Sequence, residues 1–314
     1  MAEEWDGQGL PPAARARLDR AQADGAHSSL LSVGGHTGIE SAGFTPVGEV
    51  MGCVVAHIGW QGFGGCGYYG PGMGGMSGMG GMGAFGRFGT MAAPPPVGAA
   101  TGWVGFQPYV DALNAGWDTA MSRMLAECAA IGGDGVVDVR LTETHMENLN
   151  REFVVLGTAV RSRGRTRPRR PFTTALDGQD AAKLLHAGWA PASIVIGISV
   201  AIRHDDLRTR YEAMAFQSQN VEVSGYTELL THVRADARHV LAARTSAVGA
   251  EGAILTAPVT AHMHKLEVSE GHTDHVAEAS VVATAVARFA RRPATGAAPL
   301  IVLPMRDAPN SPTK

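Results

Sequence analysis

Cysteine is scarce in this chain of 314 residues, with only Cys53, Cys66 and Cys128. They are odd in number, scattered and without a C-x-x-C pair, which argues against a disulfide framework. Net charge is also small, at −3 from 26 basic and 29 acidic residues, so no global field draws the protein to nucleic acid or to a membrane surface. No stretch approaches the ~18 apolar residues that a membrane-spanning helix needs. The opening "MAEEWDGQGL" is acidic and has no apolar h-region, unlike a signal peptide. A soluble, cytoplasmic protein with neither a nucleic-acid nor a membrane partner is expected. Also missing is any recognisable order of nucleophile and base, such as a G-x-S-x-G elbow. The chain is therefore expected not to be an enzyme.

Core material, by contrast, is ample. Apolar residues make up 45% of the chain, and the length suits about two domains. The chain also repeats itself. "SLLSVGGHTGIESAGFTPVGEVMGCVVAHI" (29–58) lies without gaps over "TALDGQDAAKLLHAGWAPASIVIGISVAIR" (174–203), so that Gly52 meets Gly197. "MSRMLAECAAIGGDGVVDVRLTETHM" (121–146) lies over "RHVLAARTSAVGAEGAILTAPVTAHM" (238–263), matching Gly132 to Gly249 and His145 to His262. A "TAV" at 158–160 meets another at 284–286.

Each copy has the same local grammar. "VGEVMGCVVAHI" and "SIVIGISVAI" are short and rich in β-branched residues, so they read as buried strands. Trp117, Ala120, Met121, Met124, Leu125, Cys128 and Ile131 fall on one face of a predicted helix, as do Leu229, Leu230, Val233, Ala237, Val240 and Leu241 in the second copy. Gly132 and Gly249 sit where a helix end favours a residue with positive φ. In "VVDVRLT", Val137, Val139 and Leu141 alternate with Asp138, Arg140 and Thr142, as on a half-buried strand. "REFVVLGTAVR" and "EASVVATAVARF" close the copies. The fold class is α+β, with two tandem β-α-β-β units that each lay a helix on a small, mostly antiparallel sheet. Cys53 and Cys128 are expected in the core.

"MSRMLAECAAIGGDGVVDVRL" followed by "FVVLGTAVR", and preceded by "AGFTPVGEVMGCVVAHIGWQ", resembles the YbjQ-like family, which carries a heavy-metal-binding label. The arrangement is similar to its two-copy actinobacterial members. The resemblance covers 29–161 well and 174–288 more loosely. It implies small domains that assemble into homo-oligomeric rings, pentameric in the family pattern, and it implies no catalytic residues. The second copy departs from the pattern. Ala257 replaces Arg140, and Pro258 interrupts the strand, which should then be an edge or carry a bulge. Any ligand site near Arg140 would be lost there.

The expected organisation follows. Residues 1–26 form an N-terminal segment with helical character, and 27–161 form the first domain, with a Gly/Met-rich insert at 62–100. Residues 162–172 are an Arg/Pro-rich linker, 173–290 the second domain and 291–314 a flexible tail.

Three stretches stand outside the fold pattern. In "GMGGMSGMGGMG", Met73, Met76, Met79 and Met82 recur every third residue. Thioethers select soft ions such as Cu(I), while glycine-rich tracts behave as flexible chain that can offer adaptable contact to a protein partner. The loop reading is preferred. The nearby "GFGGCG" fits G-x-G-x-x-G, but no helix start follows to hold a pyrophosphate. In "HMHKLEVSEGHTDH", His262 and His264 share a strand face, and a hairpin turn would bring His272 and His275 back over them. Such imidazoles suit Zn or Cu, against the alternative of a solvated polar hairpin. "RSRGRTRPRRP" has no interleaved aromatics and reads as a solvated linker. The preferred function is a non-enzymatic, ring-forming binding and assembly protein. The alternative is a heavy-metal-binding protein that uses the methionine run, the histidine hairpin or both.

Overall fold

The computed structural model describes Trp5 and residues 9–24, 28–59, 103–165, 167–214, 220–269 and 272–289. The methionine run, Cys66 and the 291–314 tail lie outside the described residues. In chain order the elements are α1 (Pro12–Asp24), α2 (Val33–Ser41), β1 (Phe44–His57), β2 (Trp103–Gly105), α3 (Gln107–Ala130), β3 (Gly135–His145), β4 (Asn150–Ser162), β5 (Phe172–Thr173), α4 (Gly178–His186), β6 (Trp189–His204), α5 (Leu207–Met214), α6 (Ser224–Ala247), β7 (Gly252–Leu255), β8 (Thr260–Ser269) and β9 (His272–Arg288).

The repeated sequence blocks fold as repeated structure: α2/α4, β1/β6, α3/α6, β3 with β7–β8, and β4/β9. Among the described residues the apolar periodicity predicts only the long helix of each copy; α2 is added in the first, and α4 and α5 in the second. The short α2 and α4 are held by their ends and by each other. Ser32 Oγ accepts the Gly35 amide and Asp177 Oδ1 the Asp180 amide, each the bond of an N-cap. The two helices pack together.

The first sheet has the order β1-β4-β3-β5 and the second β2-β6-β9-β7, with β8 also pairing β9. Two short strands cross between copies. β2, which leads into the first copy's long helix, pairs with β6 of the second. β5, at the start of the second copy, runs parallel to β3 of the first.

Each long helix lies closely on its own sheet because a glycine faces it. A Cβ at Gly52 would stand 1.9 Å from the Ala120 carbonyl oxygen, and one at Gly197 would stand 2.1 Å from that of Ala237. The helices also cover the free strand edges. Glu127 Oε2 accepts the Met51 amide at 2.8 Å, and Arg244 Nη1 donates to the Ile196 carbonyl at 2.9 Å. Gly132 and Gly249 take φ of 72° and 74°, as their helix-end positions require.

The main apolar cluster belongs to both copies. It joins Val50, Phe106, Leu113, Trp117, Met124 and Phe153 to Ile196, Ile198, Val200, Ile202 and Val276 of the second sheet. Each fully buried large side chain contributes about 1.5–3 kcal/mol relative to exposure. The helix α3 is thus wedged between the inner face of its own sheet and the outer face of the other. The helix α6 packs on the opposite face of the second sheet, over Val195, Ala201, Ala277 and Ala283.

Three expectations need correction. The alternation of Val137, Val139 and Leu141 is broken, because Asp138 adopts φ 51° at a bulge and leaves Val136, Val137 and Val139 all buried. The bulge accepts the incoming second copy: the Asp138 and Val139 amides donate to the Leu176 and Thr174 carbonyls. In the second copy the matching strand breaks into β7 and β8 around Pro258. Cys128 is fully buried, but Cys53 is exposed, since strand alternation turns it away from the face of Gly52. Nor are the linker arginines merely solvated. Arg161 donates to the Ile131 and Gly132 carbonyls at the end of α3, Arg163 donates to the Glu40 carbonyl at the end of α2, and Arg167 pairs with Asp134 at 3.2 Å. Cations at helix C-termini satisfy carbonyls that have no partner within the helix. No helix among the described residues is long and apolar enough to cross a membrane.

Candidate functional site at the seam between the copies

The seam is polar where the repeated strands end. Arg151 on β4 is 5% exposed and reaches across to Glu278 on β9, which is 9% exposed. The contact is bidentate, with Nη1 and Nη2 donating to Oε1 and Oε2 at 2.8 and 2.9 Å. Arg151 also donates to Glu143 of β3 and to the Tyr109 hydroxyl of α3. Burial works against the guanidinium charge, but the bonds and charge of Glu278 outweigh it and push the Arg151 pKa above its ordinary value. Burial, followed by the Glu278 charge, likewise pushes the Tyr109 phenol up. Both groups therefore keep their protons, and the cluster ties the two copies together through charge-assisted hydrogen bonds.

His145 and His264 flank this cluster. His145 Nε2 lies 4.0 Å from Glu143 Oε1. Desolvation, together with the charges of Arg151, His145 and His275, holds the His264 imidazole below its ordinary pKa, while Glu278 acts in the opposite sense.

A second polar cluster closes the far end of the second sheet. His275 Nδ1 lies 2.9 Å from Asp205 Oδ2. Tyr226 donates to the same carboxylate at 3.1 Å and contacts His275 Nε2 at 3.2 Å. His204 Nδ1 lies 3.0 Å from Oδ1 of the fully buried Asp274. Burial and Asp205 push the Tyr226 phenol up to about 12, which keeps it protonated and a poor nucleophile at neutral pH.

The β8–β9 register decides the fate of the histidine hairpin. His262 pairs with Glu278 and His264 with Val276, so these two imidazoles share a face, while His275 pairs with Lys265 and turns to the other. His275 lies against Asp205 and Tyr226. His272 pairs with Ser269 near the turn. The two faces keep His275 apart from His262 and His264. Among the described residues no group of three or more His, Cys, Asp or Glu side chains is placed to hold a metal ion, and the His272 side chain lies outside them. Met73, Met76, Met79 and Met82 fall outside the described residues. Arg140 pairs with its neighbour Asp138 at 3.0 Å beside the bulge.

The sequence reading missed Arg151, Glu278, Tyr109 and Asp205. Arg151 and Glu278 do not align with each other in the repeat, and nothing local marks a charge whose partner lies in the other copy.

Residues 102–163 match the model of the YbjQ family, described as "Putative heavy-metal-binding". Over 228 residues the chain is 31% identical to an encapsulin nanocompartment protein of Mycobacterium tuberculosis, an alignment that spans 70% of this chain and 71% of that protein. Over 55 residues it is 38% identical to a UPF0145 protein of Halorubrum lacusprofundi, spanning 18% of this chain and 53% of that one. No solved structure matches the chain.

Proposed function

Because the chain belongs to the YbjQ-like family, we propose that it is a non-enzymatic assembly protein that closes into a homo-oligomeric ring. The observation that carries this reading is the way the two copies dock within one chain. The long helix of the first lies against the outer sheet face of the second, through an apolar cluster and a buried ion pair. This is a head-to-tail contact between like units, the kind that generates rings when the rotation closes. The name of the mycobacterial relative, a nanocompartment protein, agrees with self-assembly. The test is native mass spectrometry of the untagged full chain. A closed oligomer is expected, and a bare monomer at micromolar concentration overturns the reading.

A second reading is metal capture by Met73, Met76, Met79 and Met82 or by His262, His264, His272 and His275. The family description favours it, as does the side-by-side placement of His262 and His264. It requires Cu or Zn at an integral ratio to chain, lost when the four methionines become leucine or the four histidines asparagine. Protein purified in rich medium that carries no such metal, and takes up none on dialysis, excludes it.

A further inference from the structure

We propose that the outer face of the first sheet receives the free face of α6 from a second copy of this chain, in the way that α3 sits on the second sheet within the chain. The proposal rests on the ring reading and names its interface.

Along α3, Val110, Asn114, Trp117, Met121 and Leu125 form one stripe at helical spacing. Its apolar members belong to the cluster that includes Ile196, Ile198, Val200 and Ile202 of the second sheet's outer face. The repeat places Thr227, Thr231, Arg234, Arg238 and Ala242 on the matching stripe of α6, and Met51, Cys53, Val55 and His57 on the matching face of β1, continued beside Met51 by Glu49. Among the described residues both surfaces are left largely open. Thr227, Thr231, Arg238 and Ala242 are exposed and Arg234 half-buried. Cys53 and His57 are exposed, and Val55 is 56% exposed. Across the strand pair, Leu156 lies opposite Met51, Val154 opposite Cys53 and Glu152 opposite Val55. The face is therefore an apolar strip of Met51, Leu156, Cys53, Val154 and Val55 between two carboxylates, Glu49 and Glu152.

The charges decide the occupant. The stripe on α6 carries two arginines and no acid, and the sheet face offers two acids, Glu49 and Glu152, while its one arginine beside Leu156, Arg140, is already paired with Asp138. Among the described residues none of Glu49, Glu152, Arg234 and Arg238 has an ion-pair partner. Trp117 and Met121 of α3 meet aliphatic residues of the second sheet, while their counterparts Arg234 and Arg238 would meet the acid-flanked strip. Both sides of the free contact thus differ from the internal one in a matched way. Opposite charge gives register and selectivity at such a contact, and mismatched pairing between the internal and external contacts is disfavoured by the unpaired arginines.

The test uses the full chain and two charge-reversed variants, E49R/E152R and R234E/R238E, checked for folding by circular dichroism. Each alone should fall to monomer at concentrations where the unaltered chain assembles, because like charges then face each other. Mixed in equal amounts, the two should associate again, since each reversed face then meets its complement on the other variant. Cys53 alkylation in a Cys66→Ser background supplies a second readout. It should be at least tenfold slower in the assembled chain than in either monomeric variant. If the unaltered chain is itself monomeric, the ring reading fails. If it assembles and both folded variants assemble equally well, with Cys53 equally reactive throughout, the ring uses another face and this proposal is overturned.

Discussion

Glu127 and Arg244 occupy the same position in the two long helices and treat the neighbouring strand edge in opposite ways. Glu127 accepts from the amide of Met51, and Arg244 donates to the carbonyl of Ile196, the residue that matches Met51 in the repeat. One edge has its donor satisfied and the other its acceptor, by side chains of opposite charge at one site of a duplicated frame. Glu127 is 1% exposed and is also held by Arg17. Its replacement by alanine should strand a buried amide and cost about 1–3 kcal/mol. Arg244 is half-buried where Glu127 is 1% exposed, so Arg244→Ala opens a route for water to the freed carbonyl and should cost less. Urea unfolding of the two variants in parallel measures the difference.

The Arg151–Glu278 pair ties the copies together under cover. Removing one partner, as in Arg151→Met, leaves an uncompensated buried carboxylate and should lower stability by about 3–5 kcal/mol. Replacing both, with Arg151→Met and Glu278→Leu, should cost clearly less than the sum of the single changes. A double-mutant cycle by chemical denaturation gives the coupling.

Gly52 and Gly197 are the points where each helix touches its sheet. A methyl group at either site must displace backbone, so Gly52→Ala and Gly197→Ala should each lose about 1–3 kcal/mol through overpacking. Changing Gly249, whose Cβ would meet nothing within 4 Å, tests the alternative that any glycine change is equally harmful. Its cost should come from the positive φ alone and be smaller. Thermal melts of the three variants under one buffer separate the cases.

Burial, followed by the charge of Asp134, pushes the Cys128 thiol from 9.0 up to about 12. The unfolded chain ionises this thiol near its ordinary value while the folded chain keeps it protonated. The associated stability is therefore complete below pH 9 and lost as pH rises toward 12. Unfolding free energy should decline across that window, and Cys128→Ala should flatten the decline. Cys128 should also resist alkylation until the protein is unfolded.

Legibility in the sequence followed distance along the chain. The two copies, their long helices and the helix-ending glycines were all readable, because duplication and 3.6-residue periodicity are local records. The helix α2 was not. "VGGHTGIES" has a poor helical composition, and it folds because Ser32 caps it and α4 packs against it. The bulge at Asp138 was hidden for a related reason. Its backbone is set by Thr174 and Leu176 arriving from the other copy. The histidine hairpin shows the limit most plainly: the pattern gave the strand partners, but only the register put His275 on the face opposite His262 and His264.

Strand exchange has a consequence for synthesis. When residue 162 leaves the ribosome, the first copy already has its helix and three of its strands, yet β2 has no neighbour and the flank of α3 lies bare. Its partners, Ile196 to Ile202 and Val276, are still unmade. The amino-terminal half must therefore wait in an open state, with an apolar helix flank offered to whatever is near, until the carboxy-terminal half arrives. In a crowded polysome the neighbouring nascent chain presents the same unclosed surface, so the fidelity of pairing within one chain depends on translation outpacing collision.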